Sequence, residues 1–405
     1  MIGMKNALHR LLIFSCALIF VTAIAVAALF FFNFRELTAL TVFPSIAILL
    51  FVFSRYLARG VLQYLAVYLI ALIAALFLFE LYSFVTFRGS TKAFAGSYAS
   101  SYFKSNRHLG YTAYGPARYQ SINYDKRTGH VVYDVVYSIS ELGFRETVGK
   151  QSGGSIVFLG DSFMFGEGLN DAETLPQAFS DLTARANNVL NFGFHGYGPQ
   201  QGLRMLELDL FDKAIGQRPA LFVFQTAAWH ADRAACIPEY TDFGPRYEFG
   251  SDGKVHYKGA CRSGITSYLG KLTKLSYGLR EIWETVHQRP LYDADFILYT
   301  EMLKQLDAII REKYHSRLLI AFLRFDDDQL FKASSYSNER LMDSLTRSGI
   351  AVIDVTLKPK GTFLRSYDGN DELVIKGDGH PNTVAQQRRA KLIYEWFQQY
   401  ASKTD

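Results

Sequence analysis

Three side chains of this sequence, two of them far from the third, have the types needed to cleave an ester: Ser162, Asp378 and His380. A serine hydroxyl is inert at neutral pH until a base takes its proton, and an imidazole does that well only when a third group fixes its tautomer. Ser162 follows an apolar, β-type run at 156–159 and closes the triplet Gly160-Asp161-Ser162, with Gly166 four residues further on. Residues just past the C-terminal end of a parallel strand lie in the crevice where open α/β sheets bind ligands. The two partners stand together in Gly377-Asp378-Gly379-His380-Pro381-Asn382, a polar loop running into a helix. Asp161 is read as organising the turn. The order Ser, Asp, His is shared with the α/β-hydrolases, but Met164 stands where their Gly-x-Ser-x-Gly elbow has its second glycine.

These motifs resemble the GDSL/SGNH hydrolase family over roughly residues 150–400. Asn191-Phe192-Gly193-Phe194-His195-Gly196 is similar to the family's second block, which puts the backbone N–H of Gly196 beside that of Ser162 in an oxyanion hole; His195 is read as structural. The third block normally supplies an asparagine. Here Gln225-Thr226-Ala227-Ala228-Trp229-His230-Ala231-Asp232 lacks it, and His230 is the candidate side-chain donor. Asp378 precedes His380 by two residues where the common pattern has three. That spacing resembles the branch containing polysaccharide and peptidoglycan O-acetyltransferases. The resemblance implies a three-layer αβα domain around a mostly parallel five-stranded sheet, ester chemistry at serine, and no requirement for a cofactor or a metal.

The elements that must position these residues follow from periodicity. Apolar β-type runs at 156–159, 188–192, 221–224, 318–322 and 351–355 alternate with helical patterns at 175–184, 199–214, 296–314 and 335–347, and a last helix covers 383–400. This rhythm predicts βαβ units, a parallel sheet and right-handed crossovers. Ahead of it, residues 87–150 form a bridge rich in Tyr, Ser and Gly. Its segment 121–139 reads as a β-hairpin over Asp125-Lys126-Arg127-Thr128-Gly129. Tyr124, Tyr133 and Tyr137 on that hairpin either stack on sugar rings or pack a small sheet onto its neighbour.

The N-terminal 86 residues read as an anchor of about three helices. Apolar runs cover 11–32, 37–53 (interrupted by Pro44) and 61–85 (with one acid, Glu80), against the ~20 residues needed to span a bilayer as helix. Lys5 and Arg10 precede the first run and Arg55 and Arg59 separate the second from the third, which turns residues 87–405 outward if all three cross. Glu80 is read as lying at the interface. Cys236 and Cys261 bracket a Gly/Tyr-rich excursion with little core of its own, and in an oxidising compartment a disulfide would close it.

The chain has 405 residues, is 49% hydrophobic and carries a net charge of +5. That balance accommodates an acidic polymer or anionic lipid as neighbour, while the absence of a Lys/Arg block or zinc-finger spacing sets nucleic acid aside. The expected organisation is therefore a membrane anchor (1–86), a bridge (87–150) and a catalytic domain (151–405) on the periplasmic side of a bacterial inner membrane. The expected activity is removal of acyl groups, acetyl first, from a carbohydrate or lipid ester. The alternatives are O-acetyl transfer to an exported polysaccharide or cell-wall glycan, with a membrane partner delivering the acyl group, and a non-catalytic glycan-binding or scaffold module.

Overall fold

The structure, a computed structural model, describes residues 38–54, 61–125, 128–150, 154–263, 276–287, 289–324, 329–357 and 372–402, apart from 91–101. Among these the helices are, in chain order, α1 (Thr38–Ser54), α2 (Val61–Ser90), α3 (Ser162–Phe165), α4 (Leu175–Leu182), α5 (Pro199–Glu207), α6 (Asp212–Ile215), α7 (His230–Ala234), α8 (Tyr277–His287), α9 (Asp293–Tyr314), α10 (Asn338–Arg347) and α11 (Thr383–Ala401). The strands are β1 (Phe103–Asn106), β2 (Gly110–Ala113), β3 (Ala117–Tyr124), β4 (Val131–Ile139), β5 (Ser155–Leu159), β6 (Asn188–Asn191), β7 (Leu221–Ala227), β8 (Pro245–Phe249), β9 (Val255–Ala260), β10 (Leu318–Leu323) and β11 (Ala351–Asp354). The chain divides into two compact units, Met1–Lys92 with Gly264–Gln288 and Ala93–Ser263 with Arg289–Asp405.

The larger unit is built on a five-stranded parallel sheet in the order β6-β5-β7-β10-β11. Strand side chains alternate between faces, and the central strands β5, β7 and β10 are buried on both, which is why they are predominantly apolar throughout. Ile156 and Phe158 of β5 share one core with Leu221 and Val223 of β7, Phe179 of α4 and Ile393 of α11. Val157 and Leu159 face the other core, with Phe222 and Phe224, Leu203 of α5 and Met302 of α9. Helices thus cover both sides, giving the three layers the alternation predicts. After β5 the chain goes first to β6 on one flank and then to β7 on the other, so the strand order reverses at β5. The C-terminal end of β5 is accordingly where a ligand crevice belongs.

Two boundaries differ from the sequence reading. The helical pattern at 199–214 is two helices, because Asp209 adopts a left-handed backbone (φ 56°) between α5 and α6. The hairpin at 117–139 is packed rather than open. Tyr137 is fully buried and Tyr133 nearly so, with Tyr137 set edge-on to Phe165, leaving only Tyr124 partly exposed. Packing rather than sugar contact explains those two rings.

In the smaller unit α1 and α2 pack together. Only α2 is long and apolar enough among the described helices to cross a membrane, over Tyr64–Thr86 at a mean hydropathy of 2.4; α1 contributes a shorter apolar stretch, Val42–Phe51. The run at 11–32 and the arginines at 55 and 59 lie outside the described residues. Glu80 is 1% exposed and bonded to the start of α8.

Candidate active site

Ser162 is the first residue of a single helical turn, α3, that leaves the end of β5. Asp161 caps the turn, its Oδ1 accepting from the N–H of Phe163 at 3.0 Å, and Gly166 ends it in a left-handed conformation (φ 82°) that glycine adopts without strain. The Ser162 N–H is one of the leading donors of a helix, which have no carbonyl to reach within it.

The opposing loop is shaped by Gly377 (φ 85°) and Gly379 (φ 94°), which flank Asp378 in the left-handed region. The Asp378 and Gly379 N–H groups both donate to Ile375 O at 3.0 Å, and Ile375 N–H donates to His380 O at 2.8 Å, so the turn is closed on itself. Asn382 then caps α11, accepting from Ala385 N–H at 3.1 Å.

These two loops meet. His380 Nε2 lies 2.9 Å from Ser162 Oγ, and His380 Nδ1 lies 2.5 Å from Asp378 Oδ2. With Nδ1–H donated to the carboxylate, Nε2 is left to accept the serine proton, as a general base requires. Ser162 is 9% exposed, so the hydroxyl faces a confined space. Gly196 occupies the loop after β6, and Phe194 N–H in that loop donates to Gly160 O at 3.2 Å, two residues before the serine. Gly196 is left-handed (φ 68°), and a Cβ there would come within 2.7 Å of the Tyr111 hydroxyl and 2.9 Å of the Tyr240 ring.

His230 is not arranged as the sequence reading expected. Its Nδ1 is 3.0 Å from Thr226 Oγ1 and its Nε2 is 3.0 Å from Asp161 Oδ2, so both ring nitrogens are committed within the protein. Arg233 adds a bond to the same Asp161 oxygen at 2.9 Å and another to Tyr197 O at 2.6 Å. Burial tends to raise the Asp161 pKa, but the Arg233 guanidinium and His230 outweigh it and hold the carboxyl well below its usual range. Burial and Arg233 push His230 down to about 4, so it is a neutral, structural ring.

Four contributors escaped the sequence reading. Asn123, at the end of β3, donates from Nδ2 to Asp378 Oδ1 at 2.9 Å and holds the second carboxylate oxygen. Glu167, fully enclosed five residues past the serine, reaches His380 Nε2 at 3.2 Å and His195 Nδ1 at 2.7 Å; His195 Nε2 in turn meets the Tyr102 hydroxyl at 2.6 Å. His195 is thus a link in a chain of contacts that ends on the His380 imidazole. Arg145 donates to Gly166 O (2.7 Å), Leu169 O (2.5 Å) and Phe165 O (3.2 Å), clamping the turn that carries Glu167. Arg233 anchors Asp161. The pattern Gly166-Glu167-Gly168, one acid in a buried turn, was the available signal for Glu167; the rest depend on tertiary contacts. Burial alone would raise the Glu167 pKa and lower that of His380. Their mutual attraction, with His195 and Asp378 added, reverses both, so Glu167 stays ionised and His380 is pulled well above an ordinary histidine. Glu167, Asp378 and His380 offer ligand atoms within 4.8 Å of one another, a spacing suited to a metal, but here these groups bond to one another and to Ser162.

Cys236 and Cys261 form the expected disulfide, with Cα atoms 5.4 Å apart. The excursion it closes carries Tyr240, whose hydroxyl accepts from Arg233 Nε at 3.1 Å.

No family model matches the chain, and no curated protein does. Solved structures do. A proposed arylesterase from Agrobacterium tumefaciens aligns over 61% of this chain and 99% of its own at 13% identity and a TM-score of 0.34. The structure of TesA aligns over 60% and 96% at 14% identity and a TM-score of 0.33. The esterase EstA from Pseudoalteromonas aligns over 62% and 99% at 12% identity and a TM-score of 0.34. Likeness of this degree assigns neither substrate nor mechanism, which have to come from the side chains.

Proposed function

We propose that this chain is a membrane-anchored serine esterase that removes small acyl groups, acetyl foremost, from a carbohydrate or lipid ester outside the cytoplasm. The observation that carries the reading is the continuous hydrogen-bond chain from Ser162 Oγ through His380 to Asp378, built from residues 216 positions and more apart. Ser162 Oγ attacks the ester carbonyl carbon while its proton passes to His380 Nε2. The C–O bond to the alcohol then breaks, the alcohol leaving with the proton from His380. Water, deprotonated by the same imidazole, attacks the acyl-serine, releases the carboxylic acid and restores the hydroxyl. The N–H groups of Ser162 and Gly196 are assigned to the oxyanion, each worth ~3–4 kcal/mol in such sites. His230 has no part in this assignment. Asn123 and Glu167 hold the aspartate and the imidazolium between steps.

The outward location is supported by the disulfide, a bond that persists in oxidising compartments, and by the apolar α2. Acetyl as the acyl group follows from the motif resemblance alone. An acyl-serine can also be resolved by a sugar hydroxyl instead of water, the route that the Asp378-x-His380 spacing resembles.

The deciding experiment uses the full chain in detergent or nanodiscs. It should release p-nitrophenol from p-nitrophenyl acetate, and a fluorophosphonate probe should label the peptide containing Ser162. Labelling elsewhere, or well-folded protein with neither labelling nor turnover, would remove the esterase assignment in favour of a binding module. Product moving onto added oligosaccharide rather than water would identify the transferase.

A further inference from the structure

The smaller unit contains a segment that does not belong to the N-terminal anchor in sequence. Residues 264–288 interrupt the larger unit between Ser263 and Arg289, and their helix α8 packs against α2. The junction is specific. Glu80 projects from α2, and one carboxylate accepts from Ser276 Oγ at 2.5 Å, Tyr277 N–H at 2.6 Å and Gly278 N–H at 3.0 Å. A carboxyl group on an apolar helix is costly without partners. Here the Ser276 hydroxyl and the leading N–H groups of α8 satisfy both Glu80 oxygens. Phe84 lies edge-on to Tyr277 at 5.1 Å, and a side chain at Gly278 would collide with the Phe79 ring at 2.6 Å, so glycine permits the close approach.

Among the described residues, Leu279 and Ile282 of α8 are 47% and 51% exposed and stand three positions apart, as a stripe on one side of the helix. Arg280 and Glu281 stand between them in the sequence, and apolar residues beside charged ones are the pattern of a helix that lies in a bilayer interface rather than across it. The stripe continues an apolar surface already present: α2 exposes Leu72, Leu76 and Leu78 over the stretch long enough to span. Glu80 is ~9 Å of helix inside the end of that stretch, at 1.5 Å per residue, which sets α8 at the depth of the upper acyl chains. Lys271 and Lys274, just ahead of α8, suit anionic headgroups.

We infer that residues 276–287 form an in-plane membrane helix, pinned to the spanning helix by Glu80, whose Leu279–Ile282 stripe contacts lipid. This rests on reading α2 as a membrane span. The partner of that stripe is the lipid itself.

The test places a single cysteine at Ile282, and separately at exposed Ser348 as a reference, in a Cys16→Ser background, and labels each with an environment-sensitive fluorophore. The full chain is reconstituted in phosphatidylethanolamine–phosphatidylglycerol nanodiscs. Lipids carrying a doxyl quencher high on the acyl chain should quench the Ile282 label at least threefold more than the Ser348 label, with aqueous iodide showing the reverse. Glu80→Leu should abolish that contrast and raise trypsin cleavage within 264–288 about tenfold, while Ser276→Ala, which removes one of three bonds, should fall between. An Ile282 label as open to iodide as the Ser348 label, in chain that resists alkaline carbonate extraction from membranes, overturns the in-plane helix and leaves the anchor standing. Chain released by carbonate overturns both.

Discussion

Asp161, one residue before the nucleophile, faces His230 across 3.0 Å; Asp378 and Glu167 face His380 at 2.5 and 3.2 Å. Both are buried carboxylate–histidine contacts, yet the two rings titrate in opposite directions. The difference is Arg233. An arginine cannot give up its proton, so where it sits beside Asp161 the positive charge is already supplied, and a second one on His230 is repelled. Around His380 the charges that act are those of Glu167 and Asp378, and they favour a positive imidazole. A permanent cation beside Asp161 keeps His230 neutral, whereas carboxylates at both nitrogens raise the pKa of His380.

Several experiments can break that contrast. The largest effect belongs to the base: His380→Ala, like Ser162→Ala, should lower kcat by ~10⁴-fold or more, as loss of a triad member does elsewhere, whereas His230→Gln should leave most of the activity. Equal losses from the two histidines would end the distinction. Arg233→Met should come next, leaving Asp161 buried beside a neutral ring and destabilising the fold by ~3–5 kcal/mol in urea unfolding. In protein that still folds, the His230 pKa read by NMR should climb from about 4, because only the repulsive partner has gone. Opening the disulfide through Cys236→Ser with Cys261→Ser releases the excursion carrying Tyr240, an acceptor for Arg233, and should lower stability by ~2–4 kcal/mol with the triad in place.

The smallest effect concerns pH. His380 must be neutral to take the serine proton, so activity rises with pH through its pKa, and carboxylates that raise this pKa displace the acid limb upward. Glu167→Gln removes one negative charge and should move the acid limb of kcat/KM to lower pH. An unmoved limb would show that Asp378 alone sets the base. Stability obeys the matching sign. The raised His380 pKa stabilises the fold below the histidine's unfolded value and loses that contribution as pH climbs through the folded one; the depressed Glu167 pKa stabilises above the usual carboxyl range and is lost as pH falls.

The sheet and the two loops that bring Ser162, Asp378 and His380 together were readable because their signals are local. Apolar runs of strand length marked all five strands within a few residues, and the Gly-Asp-Ser and Asp-Gly-His motifs each occupy one turn. The side-chain oxyanion donor was misjudged because position in a block says nothing about where a ring is already bonded, and Arg233, three residues on, decides that for His230. Asn123 and Arg145 lie in the segment read as a bridge, with no motif around them. Their roles come from the packing of β3 and β4 against the loops after β5 and β11, contacts between residues up to 255 apart in sequence. The partner of Glu80 was not readable for the same reason: α8 follows almost two hundred residues later.

The last helix has a consequence for how the two catalytic loops age and breathe. His380 stands three residues ahead of its first turn, and one turn in, the buried Gln386 amide donates to the carbonyl of Phe163, the residue next to the serine, at 2.6 Å. One stiff rod therefore grips both loops, and its far end packs on Phe179 through Tyr394 and Phe397. Shortening the C-terminus from that far end should loosen the grip before it touches any reacting atom, blurring the register of hydroxyl and imidazole while leaving each loop whole.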